Sequence, residues 1–123
     1  MSLQDLLSDY VARVNNTILA KKPTVSVLKN NIVCEVTRKL VSLGYFSSFE
    51  ELDRTLEITL IDKKINKIKR VSKPSHRVYS TSKTFPSIVG GKGFNILSTS
   101  KGILTHIECK KINSGGELLF QIF

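Results

Sequence analysis

Cysteine is scarce in this chain of 123 residues: Cys34 and Cys109 stand far apart, without the paired spacing of a zinc site. That disfavours a disulfide framework and a thiolate-held metal, and each thiol is expected to be a small buried hydrophobe in a reducing compartment. Long uncharged apolar runs are missing, as is a continuous basic amphipathic helix, so no membrane partner is expected. The two histidines, His76 and His106, occupy neither a triad nor a metal spacing. The adjacent carboxylates Glu50 and Glu51 are expected in a turn, with no sign of a cleft. The start, Met1-Ser2-Leu3-Gln4-Asp5, is acidic and lacks a basic or Arg-rich targeting region, so the chain is expected to be made where it works or to have lost a presequence already.

Acid is the other shortage. Asp and Glu total 10 against 19 Lys and Arg, which gives a formal charge of +9 and a pI near 9.8. For so short a chain the expected partner is a polyanion, and nucleic acid fits better than a membrane surface. Hydrophobic residues at 41% and charged residues at 24% match a folded chain rather than a disordered one. The length allows one ordinary domain or two small lobes, without room for a large enzyme cleft.

Periodicity supplies the elements. Leu3, Leu6, Leu7, Tyr10, Val11, Val14, Ile18 and Leu19 recur at three- and four-residue steps, which predicts an amphipathic helix from Ser2 to about Ala20, ended by Lys21-Lys22-Pro23. Arg13, Asn15 and Asn16 fall on its outer face. Thr24–Val27 alternates as a strand, and Lys29–Leu43 returns to helical spacing, with Asn30 or Asn31 as cap and Gly44 as stop. Strands are expected over Tyr45–Phe49 and Thr55–Ile61. The first lobe, residues 1–62, thus reads α-β-α-β-β. Residues 63–75, with Lys63, Lys64, Lys67, Lys69, Arg70 and Lys73, read as a basic connector that either touches polyanion or is merely solvated.

A second lobe, residues 76–123, reads as mostly β with one short helix, so the fold class is α+β. Its strands are expected at Arg77–Ser80, Phe94–Leu97 and Glu117–Phe123, with a possible helical turn over Ser82–Ile88 and a helix over Thr105–Ile112 capped by Thr105 and Glu108. Gly90-Gly91-Lys92-Gly93 lacks the spacing and the following helix of a Walker loop and is expected to form a tight turn. The strand at Phe94 empties into Ser98-Thr99-Ser100-Lys101-Gly102, which places hydroxyls, backbone N–H groups and an ammonium at one exit. Ser98 and Lys101 match a Ser-x-x-Lys acyl-transfer pattern, but its companion Ser-Asp-Asn and Lys-Thr-Gly elements are absent. For RNA the same residues work without strain. Hydroxyls can meet phosphate, 2′-OH and base edges, Lys101 can meet phosphate, Tyr79 either is buried, the default for a strand tyrosine, or stacks on an unpaired base, and Glu117 either accepts from base amino groups or braces its neighbours.

Taken in order, Arg77-Val78-Tyr79, Gly91-Lys92-Gly93, Ile96-Leu97-Ser98-Thr99-Ser100-Lys101-Gly102, Thr105, Glu108 and Gly115-Gly116-Glu117 resemble the C-terminal half of small-subunit ribosomal protein S-eight. Weaker matches at Gln4-Asp5, Asp9, Arg13-Val14, Asn16, Gly44-Tyr45-Phe46 and Arg70-Val71-Ser72-Lys73-Pro74 extend the resemblance over nearly the whole chain. It implies a two-lobed, non-enzymatic protein that binds an irregular stem in the central domain of small-subunit rRNA, beside neighbouring ribosomal proteins and with no cofactor, metal or small-molecule substrate. The implied RNA-binding residues are Ser98, Thr99, Ser100, Lys101, Gly102, Tyr79, Glu117, Gly115 and Gly116, with Arg13, Asn16, Lys73 and Arg77. An autogenous repressor that binds a messenger imitating the stem is the alternative within that class, and a serine acyl-transferase the alternative outside it. The chain departs from the family at Asn15 (usually arginine), Leu6, Cys109, Asn113-Ser114 and Phe123. Its richness in Lys, Ile and Asn suggests an AT-rich genome, and with it an organelle rather than a bacterial cytoplasm.

Overall fold

The computed structural model describes residues 3–61, 64–71, 78–81 and 93–123. The fold is α+β, in two compact units, Met1–Lys67 and Ile68–Phe123.

In the first unit α1 (Leu3–Leu19) buries Leu7, Tyr10, Val11 and Val14, the stripe that three- and four-residue spacing demands. It ends because Lys21 adopts a left-handed conformation (φ 56), which lets the Lys22 N–H reach back to the Thr17 carbonyl at 3.1 Å. Strand β1 (Thr24–Leu28) follows, then α2 (Asn31–Ser42), whose cap is Asn30: its side-chain oxygen accepts from the Val33 N–H at 2.7 Å. Strands β2 (Phe46–Glu51) and β3 (Thr55–Leu60) complete an antiparallel sheet ordered β1-β3-β2. Val25, Val27, Leu56, Ile58 and Phe46 are buried, whereas Ser26 and Ser48 are exposed. The α-β-α-β-β order is the one expected. Tyr10 and Thr37, both buried, join the two helices through their hydroxyls at 3.1 Å, and burial pushes the Tyr10 phenol well above its ordinary pKa.

The second unit holds β4 (Ile68–Arg70), β5 (Tyr79–Ser80), β6 (Phe94–Thr99), β7 (Gly102–Thr105), α3 (His106–Ile112) and β8 (Gly116–Ile122). Its antiparallel sheet runs β4-β8-β6-β7, and β5 also pairs with β8. Three expectations change. Part of the stretch read as a connector, Ile68–Arg70, is a strand: Ile68 faces Ile122 in the register, so two apolar residues outweigh the lysines around them. The strand expected to stop at Leu97 continues through Ser98 and Thr99, since both have partners on β7. Gly102–Thr105, expected only as an exit and a cap, is a strand in its own right. The predicted turn at Ser82–Ile88 lies outside the described residues, as do Lys73, His76, Arg77 and Gly90–Lys92.

Candidate nucleic-acid interface

The register of the second sheet brings three of the predicted residues into one row. Tyr79 on β5 faces Glu117 on β8, and Glu117 faces Ser98 on β6. Directly opposed residues project from the same face, so an aromatic ring, a carboxylate and a hydroxyl stand side by side, one strand spacing of about 4.8 Å apart. Tyr79 is 66% exposed, which reverses the default of a buried strand tyrosine. The glycines before Glu117 make the row possible. A Cβ on Gly115 would press on the Ser80 carbonyl, and one on Gly116 on the carbonyl of Ser98, so β8 can approach both neighbours only without side chains there. Glu117 lies next to Tyr79 and Ser98 within the sheet itself.

Beside the row, β6 and β7 are joined through Ser100 and Lys101. Both keep negative φ, since Lys21 and Asn113 are the only non-glycine residues of positive φ among those described. The positive φ, 109°, falls on Gly102, the pattern of a turn closed by a glycine bulge. Thr99 holds this turn: its hydroxyl donates to the Gly102 carbonyl at 2.8 Å and accepts from the Lys101 N–H at 3.1 Å. The three hydroxyls in the Ser-Thr-Ser run are therefore not equivalent. Thr99's is committed to the protein, whereas those of Ser98 and Ser100 make no hydrogen bond to the described residues. Ser100 and Lys101 are exposed at the tip.

Helix α3 starts in the expected capping box: the Glu108 N–H donates to the Thr105 hydroxyl, and the Thr105 N–H to the Glu108 carboxylate, both at 3.3 Å. Cys109 is fully buried against Leu97 and Leu118. Sequence reasoning missed the role of His106, whose Nδ1 accepts from the Asn95 N–H at 3.1 Å and thereby ties α3 to β6. Burial, with Lys110 nearby, lowers its pKa, so the neutral ring that this bond needs is favoured. It also missed the buried pair of Gln121 and Asn95, joined amide to amide at 2.8 Å. No spacing in the sequence marks either contact, because each depends on the register between strands.

In the first unit, Arg13 and Asn16 lie on the exposed face of α1 as predicted. The Arg13 guanidinium is already engaged, with Nε 2.8 Å from the Asp9 carboxylate and Nη1 3.5 Å from the Ser26 carbonyl. Among the described residues no group of three metal-ligating side chains occurs, and no helix is long and apolar enough to cross a membrane. Charge is divided unevenly. Met1–Lys67 carries 10 basic and 8 acidic residues, whereas Ile68–Phe123 carries 9 basic and 2 acidic, so net charges of +2 and +7 make up the +9.

These features define a small basic α+β protein whose second unit presents an aromatic ring, hydroxyls and an ammonium at one end of a sheet. The family described as Ribosomal protein S8 matches residues 5–123, and the chain belongs to that family. It is 37% identical to the small ribosomal subunit protein uS8 of Rippkaea orientalis over the whole of both chains. To the protein of that name from Cytophaga hutchinsonii it is 38% identical, over 97% of this chain and 99% of the relative. To that of Pseudomonas syringae it is 35% identical over both full lengths. These relatives are bacterial and lend no support to the organelle suggested by composition.

Proposed function

We propose that the protein is a structural constituent of the small ribosomal subunit that binds an irregular, partly unpaired stem in the central domain of its rRNA and sits among neighbouring subunit proteins. The observation that carries this reading is the row of Tyr79, Glu117 and Ser98 beside the Ser100–Lys101 turn. A plain A-form duplex hides its base faces and edges, so an exposed tyrosine ring is useful only against a base out of its stack. A carboxylate repels phosphate and is useful only against donors, which base amino groups supply. The hydroxyls of Ser98 and Ser100 both donate and accept, and so suit 2′-OH groups and base edges. Lys101 supplies a point charge for the backbone. The row thus recognises what is irregular in a stem, and the +7 of its unit gathers RNA without regard to sequence. Arg13 and Asn16, from the first unit, are assigned backbone contacts, as are Lys73 and Arg77.

The test compares an irregular stem with a plain duplex of equal length. Ser100→Ala and Glu117→Gln are expected to weaken binding to the irregular stem by about 2- to 10-fold each, the worth of one or two hydrogen bonds, and to leave duplex binding nearly unchanged. Equal losses on both RNAs would refute the assignment.

A further inference from the structure

The core of the first unit is open at one end. Leu60 follows Leu56 and Ile58 on the core face of β3, yet it is only partly buried, whereas the other two are fully so. The cause lies in how α1 stops. Lys21, in its left-handed conformation, turns the chain out of the helix, Lys22 and Pro23 lead straight into β1, and the Leu60 N–H donates to the Pro23 carbonyl at 2.8 Å. Backbone is thus tied at this end, but the tie brings no apolar side chain larger than proline to close the core. A cavity of about 500 Å³ remains there. Ile18, Pro23, Leu60, Ile61 and Ile65 form its apolar wall, with Lys21 and Lys22 beside them, both exposed. Ile65 is buried and Ile61 is 40% exposed, so the wall runs from the interior out to the surface.

That volume falls within the range of ligand pockets, about 300 to 1,000 Å³. Five apolar residues call for an apolar group, and the two charged residues that line the cavity are both cations. Asp62, next to Ile61 in the sequence, is followed by Lys63 and Lys64, so the local balance stays basic. RNA offers phosphate to the lysines, but its bases stack on rings, and none lines this wall. A second copy of the chain carries +9 and is repelled. A segment of another protein with a large apolar side chain between carboxylates satisfies both halves of the site, as a buried anchor with charges at the rim does in protein interfaces.

We infer that the open end of the first core is a docking site for an acidic segment of a partner protein, anchored by a leucine or phenylalanine. The anchor enters among Ile18, Leu60, Ile61 and Ile65, and the carboxylates beside it pair with Lys21 and Lys22. The site belongs to the first unit and does not depend on the RNA-binding reading of the second.

The test titrates isotope-labelled full-length protein with the peptide acetyl-Asp-Glu-Leu-Phe-Glu-Asp-amide and follows the backbone amide resonances. Binding with a Kd of about 1 mM or tighter is expected, with shifts centred on Lys21, Lys22, Ile61 and Ile65. Alanine in place of the peptide's leucine and phenylalanine is expected to weaken binding at least about tenfold. Lys21→Gln/Lys22→Gln is expected to weaken it by about 2- to 10-fold, the worth of two exposed ion pairs, and to make it less sensitive to salt. The peptide controls need no protein variant and decide the matter even if the double variant is unstable. No shift at these amides, shifts centred elsewhere, or equal binding of a peptide with lysines in place of its acids overturns the proposal. An irregular RNA stem that moves these amides when the acidic peptide does not would assign the lysines to RNA, and a dimer dissolved by Ile61→Ser would assign the cavity to a second copy; either result also overturns it.

Discussion

Replacing Thr99 by valine separates two kinds of hydroxyl that the sequence places next to each other. Valine keeps the branched shape and the strand preference of threonine, so the change removes the hydroxyl alone. Two hydrogen bonds vanish with it, the 2.8 Å bond to the Gly102 carbonyl and the 3.1 Å bond from the Lys101 N–H. Each is worth about 0.5 to 1.5 kcal/mol net, and partial exposure keeps both near the lower end, so a loss of about 1 to 2 kcal/mol is expected. In a chain of this size that lowers Tm by roughly 4 to 8 °C. Ser98→Ala and Ser100→Ala remove no bond to the described residues and are expected to change stability by no more than about 0.5 kcal/mol.

Binding should rank the three the other way. On the proposed function Ser98→Ala and Ser100→Ala are expected to lose a contact to RNA and Thr99→Val to affect RNA only by loosening the turn, while Thr99→Ser, which preserves both bonds, is expected to be silent in both assays. Thermal unfolding and titration of the irregular stem on the same preparations decide the matter. A Thr99→Val protein with wild-type Tm, or a Ser98→Ala protein destabilised as much as Thr99→Val, would refute the division of labour.

Two further outcomes follow from the geometry of the second unit. Gly116→Ala forces a Cβ against the Ser98 carbonyl, a backbone atom that cannot step aside, and is expected to cost about 1 to 3 kcal/mol, as overpacking does, and to abolish the preference for the irregular stem; circular dichroism melts and RNA titration check it. His106 has a lowered pKa in the fold, so below about 6.5 the unfolded chain takes up a proton that the folded one resists. Stability from this group is therefore complete above that pH and is lost as pH falls through the lowered folded value; denaturant unfolding between pH 7 and pH 5 should show the decline, flattened in His106→Asn.

Much of this was legible in the chain. The first unit follows from helical spacing closed by Asn30, Gly44 and a Lys-Lys-Pro stop, because an amphipathic element that faces one core declares its period locally. The capping box at Thr105 was equally plain. What escaped depends on pairing. Ile68–Arg70 has three residues and two cations, and only the facing Ile122 and Phe120 on β8 make it a strand. Gly102–Thr105 is four residues long and starts with a glycine, so its strand character comes from β6. For the site, the residue types were readable and their arrangement was not. Ser98, Thr99 and Ser100 look alike in sequence, and the turn alone shows that Thr99 is spent on Lys101 and Gly102. Gly115 and Gly116 were expected among the residues that touch RNA, whereas the sheet itself already requires them to be glycine.

The uneven charge bears on how such a surface can be both attractive and selective. A net +7 on residues 68–123 draws any polyanion, and that attraction weakens uniformly as salt rises. Discrimination has to come from groups whose worth does not scale with charge. In the proposed reading the row supplies them: an uncharged ring, an uncharged hydroxyl and a carboxylate that a phosphate would avoid. Glu117 is thus the informative residue in a basic unit. In the proposed reading its carboxylate gains a hydrogen bond from RNA only where a donor of an unpaired base reaches it, and a plain duplex offers it none. Replacing it by glutamine should therefore narrow the gap between the two RNAs from the irregular-stem side, as a charge added elsewhere on the unit would not.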